Sequence, residues 1–520
     1  MSDFTDIFKG ASPELAQNLF FDVKTKVVYI NEAWKGNVEV ISFEGLLRKR
    51  GAEDIKFLET AEFIKQAAVA RVALSGNHSE LQHEAYKLFE EAFQSKSSDI
   101  HISDYGTHGV IKFRSLGMMH EVRTLPGITA GRLIGVIYGT MSQQTTTASH
   151  TPTVRQDGRI AKREFLPESV HSIRVHTEPI ECAQAEGGVG CKMILRLLYD
   201  RTEAKGDMAS RLTMLGYDET AIEQFRFLSE RTGLIIIAGP TGHGKSTLLK
   251  HVMESQAHDS PEKSFLSVED PPEYPLVGID QIMVNTGGTS VDPDEIKEQY
   301  IGALAGVLRS DLDSLMIGEI RYPEAATAAI DAALSGHTVW ATLHANSAIG
   351  IIRRMMSRLE ADGNSDPLEF LCDPSVTAGL IYQRLVPVLC PHCKRQLTTV
   401  PADELKIVLP DYVRSRLLRV VTDINKVFVR SLNGCKHCAG YGFIDQTVAA
   451  EIIVTDEIFL KHIRQGNMSA AHDHWIEHLK GKSHITDAIQ KIERGILDPY
   501  MTEKRIGVPL TYNMANAKEW

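Results

Sequence analysis

Long apolar runs are missing from this chain of 520 residues: no stretch of about 18 apolar residues occurs, which excludes a membrane-crossing helix. The opening residues, MSDFTDIFKGASPE, lack the basic and apolar regions of a secretory signal, so a cytoplasmic protein is expected. Positive charge is short as well. There are 56 Lys and Arg against 67 Asp and Glu, a formal net charge of −11, and no basic stripe interleaved with aromatics. This argues against a nucleic-acid partner, and any membrane contact is expected to be indirect, through a protein. Cysteine is sparse, seven in all, which in a cytosolic chain points away from a disulfide framework. What remains is globular: 43% hydrophobic and 24% charged residues, in a chain long enough for several cores.

The most informative stretch is Gly233 to Thr247, GLIIIAGPTGHGKST. An apolar β-branched strand runs into Gly239-x4-Gly244-Lys245-Ser246, and a helical segment follows from Leu248 to Glu254. That is the grammar of a phosphate-binding loop: the glycines let successive N–H groups ring an anion at the start of a helix. The cradle comprises Gly239, Pro240, Thr241, Gly242, His243, Gly244, Lys245, Ser246 and Thr247. Lys245 would reach the β- and γ-phosphates of ATP, and the Ser246 hydroxyl would hold Mg2+.

Four cysteines form two pairs, Cys390-Pro-His-Cys393 and Cys435-Lys-His-Cys438, about forty residues apart. Two such knuckles complete a four-sulfur site suited to structural Zn2+, with one redox-active pair as the alternative. His392 and His437 read as bystanders, and Cys182, Cys191 and Cys372 as buried small apolar residues.

Three regions are expected. Residues 1–75 read as a small α/β segment with strand-like KTKVVYI and NVEVISF and an amphipathic FLETAEFIKQAAVARV. Residues 76–204 form a second mixed domain. A helix carries Leu81, Ala85, Leu88, Phe89 and Ala92, and strands run through SDIHIS, GVIKFRSL, HSIRVHT and KMILRLL. MSQQTTTASHTPTVRQDG reads as an exposed loop and TEAKGDMAS as a linker. Residues 205–520 carry the phosphate loop, preceded by a helix in TAIEQFRFLSERTG. They also carry the tetracysteine element at 390–438 and C-terminal helices over 455–500, with disorder in the last twenty residues.

Two acidic constellations close apolar strands downstream of the loop: Ser264 to Glu273, with Glu269 and Glu273, and Asp313 to Arg321, with Glu319. In a parallel sheet, active groups gather at the carboxyl ends of the strands, so both can face the bound phosphates. One carboxylate can organise magnesium while another accepts the proton of the attacking water. Spacing alone leaves the roles of Glu269 and Glu319 exchangeable.

Together with SGHTVWATLHAN, the phosphate loop, VEDPPEY and LMIGEIR make an ordered set. It resembles the secretion ATPase superfamily that powers type II secretion, type IV pili and related type IV systems. SSDIHI, QDGRI, SIRVHTEP, ILRLL, QRLVPVLCPHC and GCKHCAGYG extend the resemblance over roughly 76–455. It implies an α/β fold: a RecA-like ATPase domain preceded by a smaller PAS-like domain, with a zinc-bearing helical extension at the C-terminal side. It also implies a homo-hexamer that hydrolyses ATP and works on an inner-membrane platform protein. Arg174 and Arg196 are implied as phosphate-sensing arginines, with Arg159 as a further candidate and surface ion pairs as the bland alternative. His344, and with less weight His337, are implied to link the γ-phosphate to domain movement. The resemblance favours Glu269 as the water-activating acid and Glu319 as the Walker B acid near magnesium. The cysteine pairs favour pilus or pseudopilus assembly over a retraction motor or a type IV secretion ATPase, and the presence of both Lys245 and Glu319 speaks against a non-catalytic scaffold. Departures around the Walker B and cysteine regions point to a divergent plasmid-type pilus branch.

Overall fold

The computed structural model describes Leu15 and residues 18–22, 26–50, 52–59, 80–144, 150–199, 206–270, 272–284 and 293–512. At its centre is a seven-stranded sheet. The strand order is Asp280–Met283, Phe265–Glu269, Ser314–Ile317, Thr338–Leu343, Gly233–Ala238, Thr377–Leu389 and Phe443–Val454. The first six strands run parallel and the last is antiparallel. Gly233–Ala238 is buried along its whole length, as a strand covered on both faces must be. Its alternation divides two cores. Leu234 and Ile236 pack with the helices Pro323–Leu334 and Gly350–Ala361. Ile235 and Ile237 pack with Glu219–Glu230 and Lys245–Asp259.

A second seven-stranded sheet is antiparallel throughout. Its order is Met118–Pro126, His108–Ser115, Ser97–Asp104, Val189–Tyr199, Val170–Glu181, Gln156–Ile160 and Gln143–Gln144. One face carries a helix over 80–94, with Ala85, Leu88, Phe89 and Ala92 buried as expected, and the helix Gly127–Val136. The polar stretch read as a loop is in part a hairpin: Gln143 pairs with Arg159 and Gln144 with Gly158. Backbone pairing at the sheet edge tolerates polar side chains that hide the strand from its sequence pattern. Residues 145–149 of that stretch lie outside the described residues.

Near the amino terminus, Leu19–Asp22, Val27–Asn31 and Asp54–Leu58 form a three-stranded sheet. NVEVISF, expected as a strand, belongs to the helix Val38–Lys49. Asn37 caps it by accepting from Glu39 N at 2.8 Å, and Val40, Phe43 and Leu47 are buried at helical spacing. The β-branched residues suggested a strand, but capping and the 3.6-residue period prevail. Most of the amphipathic stretch after it lies outside the described residues. The end of the expected linker is likewise helical, because Asp207 caps Met208–Leu215 by accepting from Ser210 N at 3.0 Å.

The tetracysteine element is an insertion between the last two strands of the central sheet, where a C-terminal extension was expected. Leu389 pairs with Phe443, and Cys390 N donates to Gly442 O at 2.9 Å, so the hairpin itself brings the two knuckles together. The expected C-terminal helices follow as Glu457–Arg464, Met468–His478 and His484–Glu493. Order continues into the last twenty residues: the helix Pro499–Ile506 is capped by Asp498 and buries Met501, Thr502 and Ile506. Residues 513–520 lie outside the described residues.

Candidate nucleotide and metal sites

The loop after Ala238 leaves the central sheet at the carboxyl ends of its parallel strands and enters the helix Lys245–Asp259. Gly239 is required by close approach, since a Cβ there would lie 2.4 Å from Gln383 O; Gly244 starts the helix at φ +77. Lys245 Nζ donates to Gly239 O at 2.9 Å and Pro240 O at 3.3 Å, so its ammonium lies over the loop. Burial lowers its pKa, while Glu319 and Glu273 act in the opposite sense.

Glu319 follows the strand Ser314–Ile317. Its Oε1 is 3.1 Å from His344 Nε2, and its Oε2 accepts from Arg321 Nε at 2.8 Å. His344 Nδ1 is 3.2 Å from Gly239 O. One imidazole therefore joins this acid to the first carbonyl of the loop. Arg321 Nη1 continues to Asp270 Oδ2 at 3.3 Å. His337 and His344 flank the strand Thr338–Leu343 at opposite ends: the His337 carbonyl accepts from Gly233 N at 2.9 Å, about 20 Å of extended chain from His344.

Glu269 is buried at 7% exposure. Its Oε1 accepts from Gln281 Nε2 at 2.9 Å and Ser267 Oγ at 3.1 Å. Burial raises its pKa, and those two hydrogen bonds oppose the rise. Glu273, four residues on, is 3.8 Å from Arg174 Nη1, a contact between the central sheet's acid box and the second sheet.

Arg174 belongs to a row. Strand register sets Arg159 opposite Arg174, Arg174 opposite Arg196, Arg196 opposite Asp99, and Asp99 opposite Arg114. Like charges directly opposite destabilise a sheet, so this row needs compensation. Asp99 supplies part of it, 3.0 Å from Arg196 Nε and 3.6 Å from Arg114 Nε. Arg159 donates to Ser172 Oγ at 3.1 Å, and burial followed by Arg174 lowers its pKa.

Sequence reasoning missed the fastening of the loop to the strand Thr377–Leu389. Buried Gln383 donates through Nε2 to His243 O at 2.6 Å and accepts from Tyr217 OH at 2.6 Å. Leu385 N donates to His243 Nδ1 at 2.9 Å. Burial, then Arg505, Arg384 and Lys245, push the His243 pKa down to about 4. The available signal was the polar pair Gln383–Arg384 inside an otherwise apolar run, LIYQRLVPVL.

At the base of the hairpin, Cys390, Cys393, Cys435 and Cys438 place their sulfurs within 4.8 Å of one another. Sγ···Sγ separations are 3.8 Å for Cys390–Cys435, 3.7 Å for Cys393–Cys438 and 3.8 Å for Cys435–Cys438. A tetrahedron with zinc–sulfur bonds of about 2.3 Å has edges of about 3.8 Å, so the donor set fits Zn2+. Cys435 N and Gly442 N donate to Cys438 Sγ at 3.1 and 3.2 Å. His392 and His437 stack on each other, centroids 4.0 Å apart, outside the four-sulfur group. Cys182 and Cys191 are buried, while Cys372 is half-buried against the core.

Residues 76–506 match the family model described as type II/IV secretion system protein. Type II secretion system protein E of Aeromonas hydrophila is 31% identical over 411 residues, covering 79% of this chain and 71% of that protein. Type II secretion system ATPase E of Vibrio cholerae is 31% identical over 414 residues, 79% of this chain and 72% of that protein. Among solved structures, the ATPase DotB of Legionella pneumophila superposes with a TM-score of 0.53 at 20% identity. That match covers 80% of this chain and 93% of DotB, and it shows a shared α/β fold.

Proposed function

This chain belongs to the type II/IV secretion system protein family, and we propose that it is a mechanochemical ATPase driving assembly of a type IV pilus or pseudopilus. The observation that carries this reading is the junction at Lys245. The phosphate-loop lysine and the imidazole of His344 meet at one carbonyl, Gly239 O, and the far nitrogen of that imidazole reaches the strand-end acid Glu319.

In this reading ATP lies on the loop Gly239–Thr247, with Lys245 on its outer phosphates. Ser246 and Glu319 would hold magnesium, which would supply charge neutralisation at the phosphates. Glu269 has the basicity a water-activating carboxylate needs, since burial raises its pKa. Glu319 has the position nearer Lys245. Arg174, paired with Glu273 across the two sheets, is placed to exchange that carboxylate for a phosphate, with Arg159 and Arg196 behind it in the row. Loss of the γ-phosphate would change what His344 and Arg174 contact, letting the two sheets turn against each other.

We read residues 205–520 as a RecA-like ATPase domain, 76–204 as the smaller PAS-like domain and 1–75 as a separate α/β segment. A homo-hexamer acting on an inner-membrane platform protein completes the proposal, with the chain cytoplasmic and at the membrane only through partners. No helix among the described residues is long and apolar enough to cross a membrane. The four-sulfur group favours assembly over retraction or type IV secretion, because the resemblance associates it with assembly motors.

The test is ATP turnover of the purified chain beside Lys245→Ala and Glu319→Gln, with mass in ATP and zinc content measured on the same samples. Magnesium-dependent turnover lost in both variants, a hexamer and one zinc per chain support the proposal. Turnover without zinc would favour the retraction or type IV secretion reading, and no turnover in any form would favour a scaffold.

A further inference from the structure

Glu269 is held by a residue from outside the acid box. Gln281 lies on the edge strand Asp280–Met283, where parallel register sets it beside Ser267. Glu269 follows Ser267 by two positions and so shares its face of the sheet. Gln281 Nε2 and Ser267 Oγ therefore reach the same oxygen, Glu269 Oε1, at 2.9 and 3.1 Å. Gly318 leaves room for the stem of this side chain, since a Cβ there would lie 3.2 Å from Glu269 Cγ. Two donors on one oxygen, with the neighbouring strand end against the stem, hold the carboxylate in one direction.

The same amide also gathers the chain beyond the acid. Gln281 Nε2 donates to Tyr274 O at 2.8 Å, and its Oε1 accepts from Leu276 N at 2.9 Å. Tyr274 and Leu276 are thereby drawn to Glu269, and Glu273 just before them stands 3.8 Å from Arg174 Nη1. An amide suits this place because it offers two donors and an acceptor in one plane and carries no charge. A cation there would strip the acid of basicity, whereas an amide and a hydroxyl aim it and leave most of that basicity intact. Burial raises the Glu269 pKa, Gln281 and Ser267 oppose the rise, and the like charge of Glu273 adds to it. Asp270, the next residue, is occupied by Arg321 at 3.3 Å.

We propose that Gln281 is a positioning residue for hydrolysis: its amide aims Glu269 at the attacking water and fixes that acid relative to Glu273. It acts through Glu269 and not on the nucleotide, so the proposal rests on Glu269 as the water-activating acid. The chain around it keeps other ties when Gln281 is replaced. Lys250 Nζ donates to Pro275 O, and Val277 N donates to Glu254 Oε1, each at 3.2 Å.

The experiment follows single-turnover hydrolysis against pH in the full chain, in Gln281→Met, Gln281→Glu and Glu269→Gln. In parallel, carbodiimide labelling of Glu269, read by peptide mass spectrometry, reports the protonated carboxyl at each pH and needs no turnover. Gln281→Met removes both donors and disfavours the carboxylate, so the acid limb of the rate and the labelling midpoint should both rise by about one pH unit. KM for ATP should stay as it was. Gln281→Glu keeps an acceptor for Leu276 N and sets a like charge beside Glu269, so its shift should be larger. It keeps the test valid if Gln281→Met unfolds. A labelling midpoint unmoved in both variants would overturn the proposal, as would a raised KM with an unmoved acid limb. A shifted midpoint together with undiminished hydrolysis in Glu269→Gln would support the clamp and overturn the role given to Glu269.

Discussion

The backbone N–H of Leu385 donates to Nδ1 of His243 at 2.9 Å, so a histidine inside the phosphate loop serves as an acceptor and is fixed in its neutral form. Gln383 seals the same junction from the other side through His243 O. The loop is therefore held by the neighbouring strand in addition to its own glycines.

This bond makes stability depend on pH. In the folded chain the His243 pKa is pushed to about 4, against 6.5 for an ordinary histidine. Between those values the unfolded chain binds more protons, so stability rises with pH. The contribution is full above about pH 6.5 and is lost as pH falls through about 4, an effect of up to about 3 kcal/mol. His243→Asn, whose carbonyl oxygen can take the Leu385 N–H, should flatten the dependence of the urea midpoint across that window. An unchanged slope would mean that other groups govern it.

Gln383→Leu leaves Tyr217 OH and His243 O without partners in a buried place. Each unsatisfied group costs about 1–3 kcal/mol. We expect a loss of about 3 kcal/mol in equilibrium unfolding together with a raised KM for ATP, since the loop loses its anchor. A stability loss with unchanged KM would confine Gln383 to packing.

The acids separate by readout. Glu319→Gln removes the charge that meets His344 and Arg321 and should weaken nucleotide binding as well as turnover. Glu269→Gln keeps the acceptor for Gln281 and should leave binding intact while lowering single-turnover hydrolysis about a hundredfold. Retained hydrolysis in Glu269→Gln would transfer the water-activating role to Glu319 or Glu273.

Removing the zinc proposed for the four-sulfur group should loosen the hairpin arm and spare the central sheet. Chelation, or Cys438→Ser, is expected to raise amide exchange by tenfold or more over residues 390–442 and to break the tilted ring contact of Tyr441 with His120, whose centroids are 4.5 Å apart. Exchange in Gly233–Ala238 should stay as it was. Uniform loss of protection would show that the metal supports the whole molecule.

Arg505 joins three places: Nη1 donates to Gly117 O at 3.2 Å, Nε to Leu385 O at 3.4 Å, and its own carbonyl accepts from Arg384 at 3.0 Å. Arg505→Ala should cost about 2 kcal/mol in equilibrium unfolding and expose the turn Leu116–Gly117 to proteolysis. Unchanged cleavage there would rule out a link between the two sheets through this residue.

Elements whose signal is local are legible in the residues alone. Gly233 to Lys245 needs only glycine freedom and an apolar strand, and the CxxC pairs need only spacing to suggest a metal. The strands Ser97–Asp104 and Val170–Glu181 were legible because alternation is read within a few residues. The same locality misled at Val38–Lys49, where β-branched residues outweighed a helical period of buried positions, and at the polar hairpin Gln143–Ile160. Tertiary structure alone decided which distant groups meet. It put His344 and not His337 beside Glu319, because a parallel strand carries its two ends about 20 Å apart. It aligned Arg159, Arg174 and Arg196 through antiparallel register and sent only Arg174 to Glu273. It folded the cysteine pairs into a hairpin within the sheet and placed Gln383 under the loop. These are contacts across tens to hundreds of residues, set by packing and strand register, which no local pattern encodes.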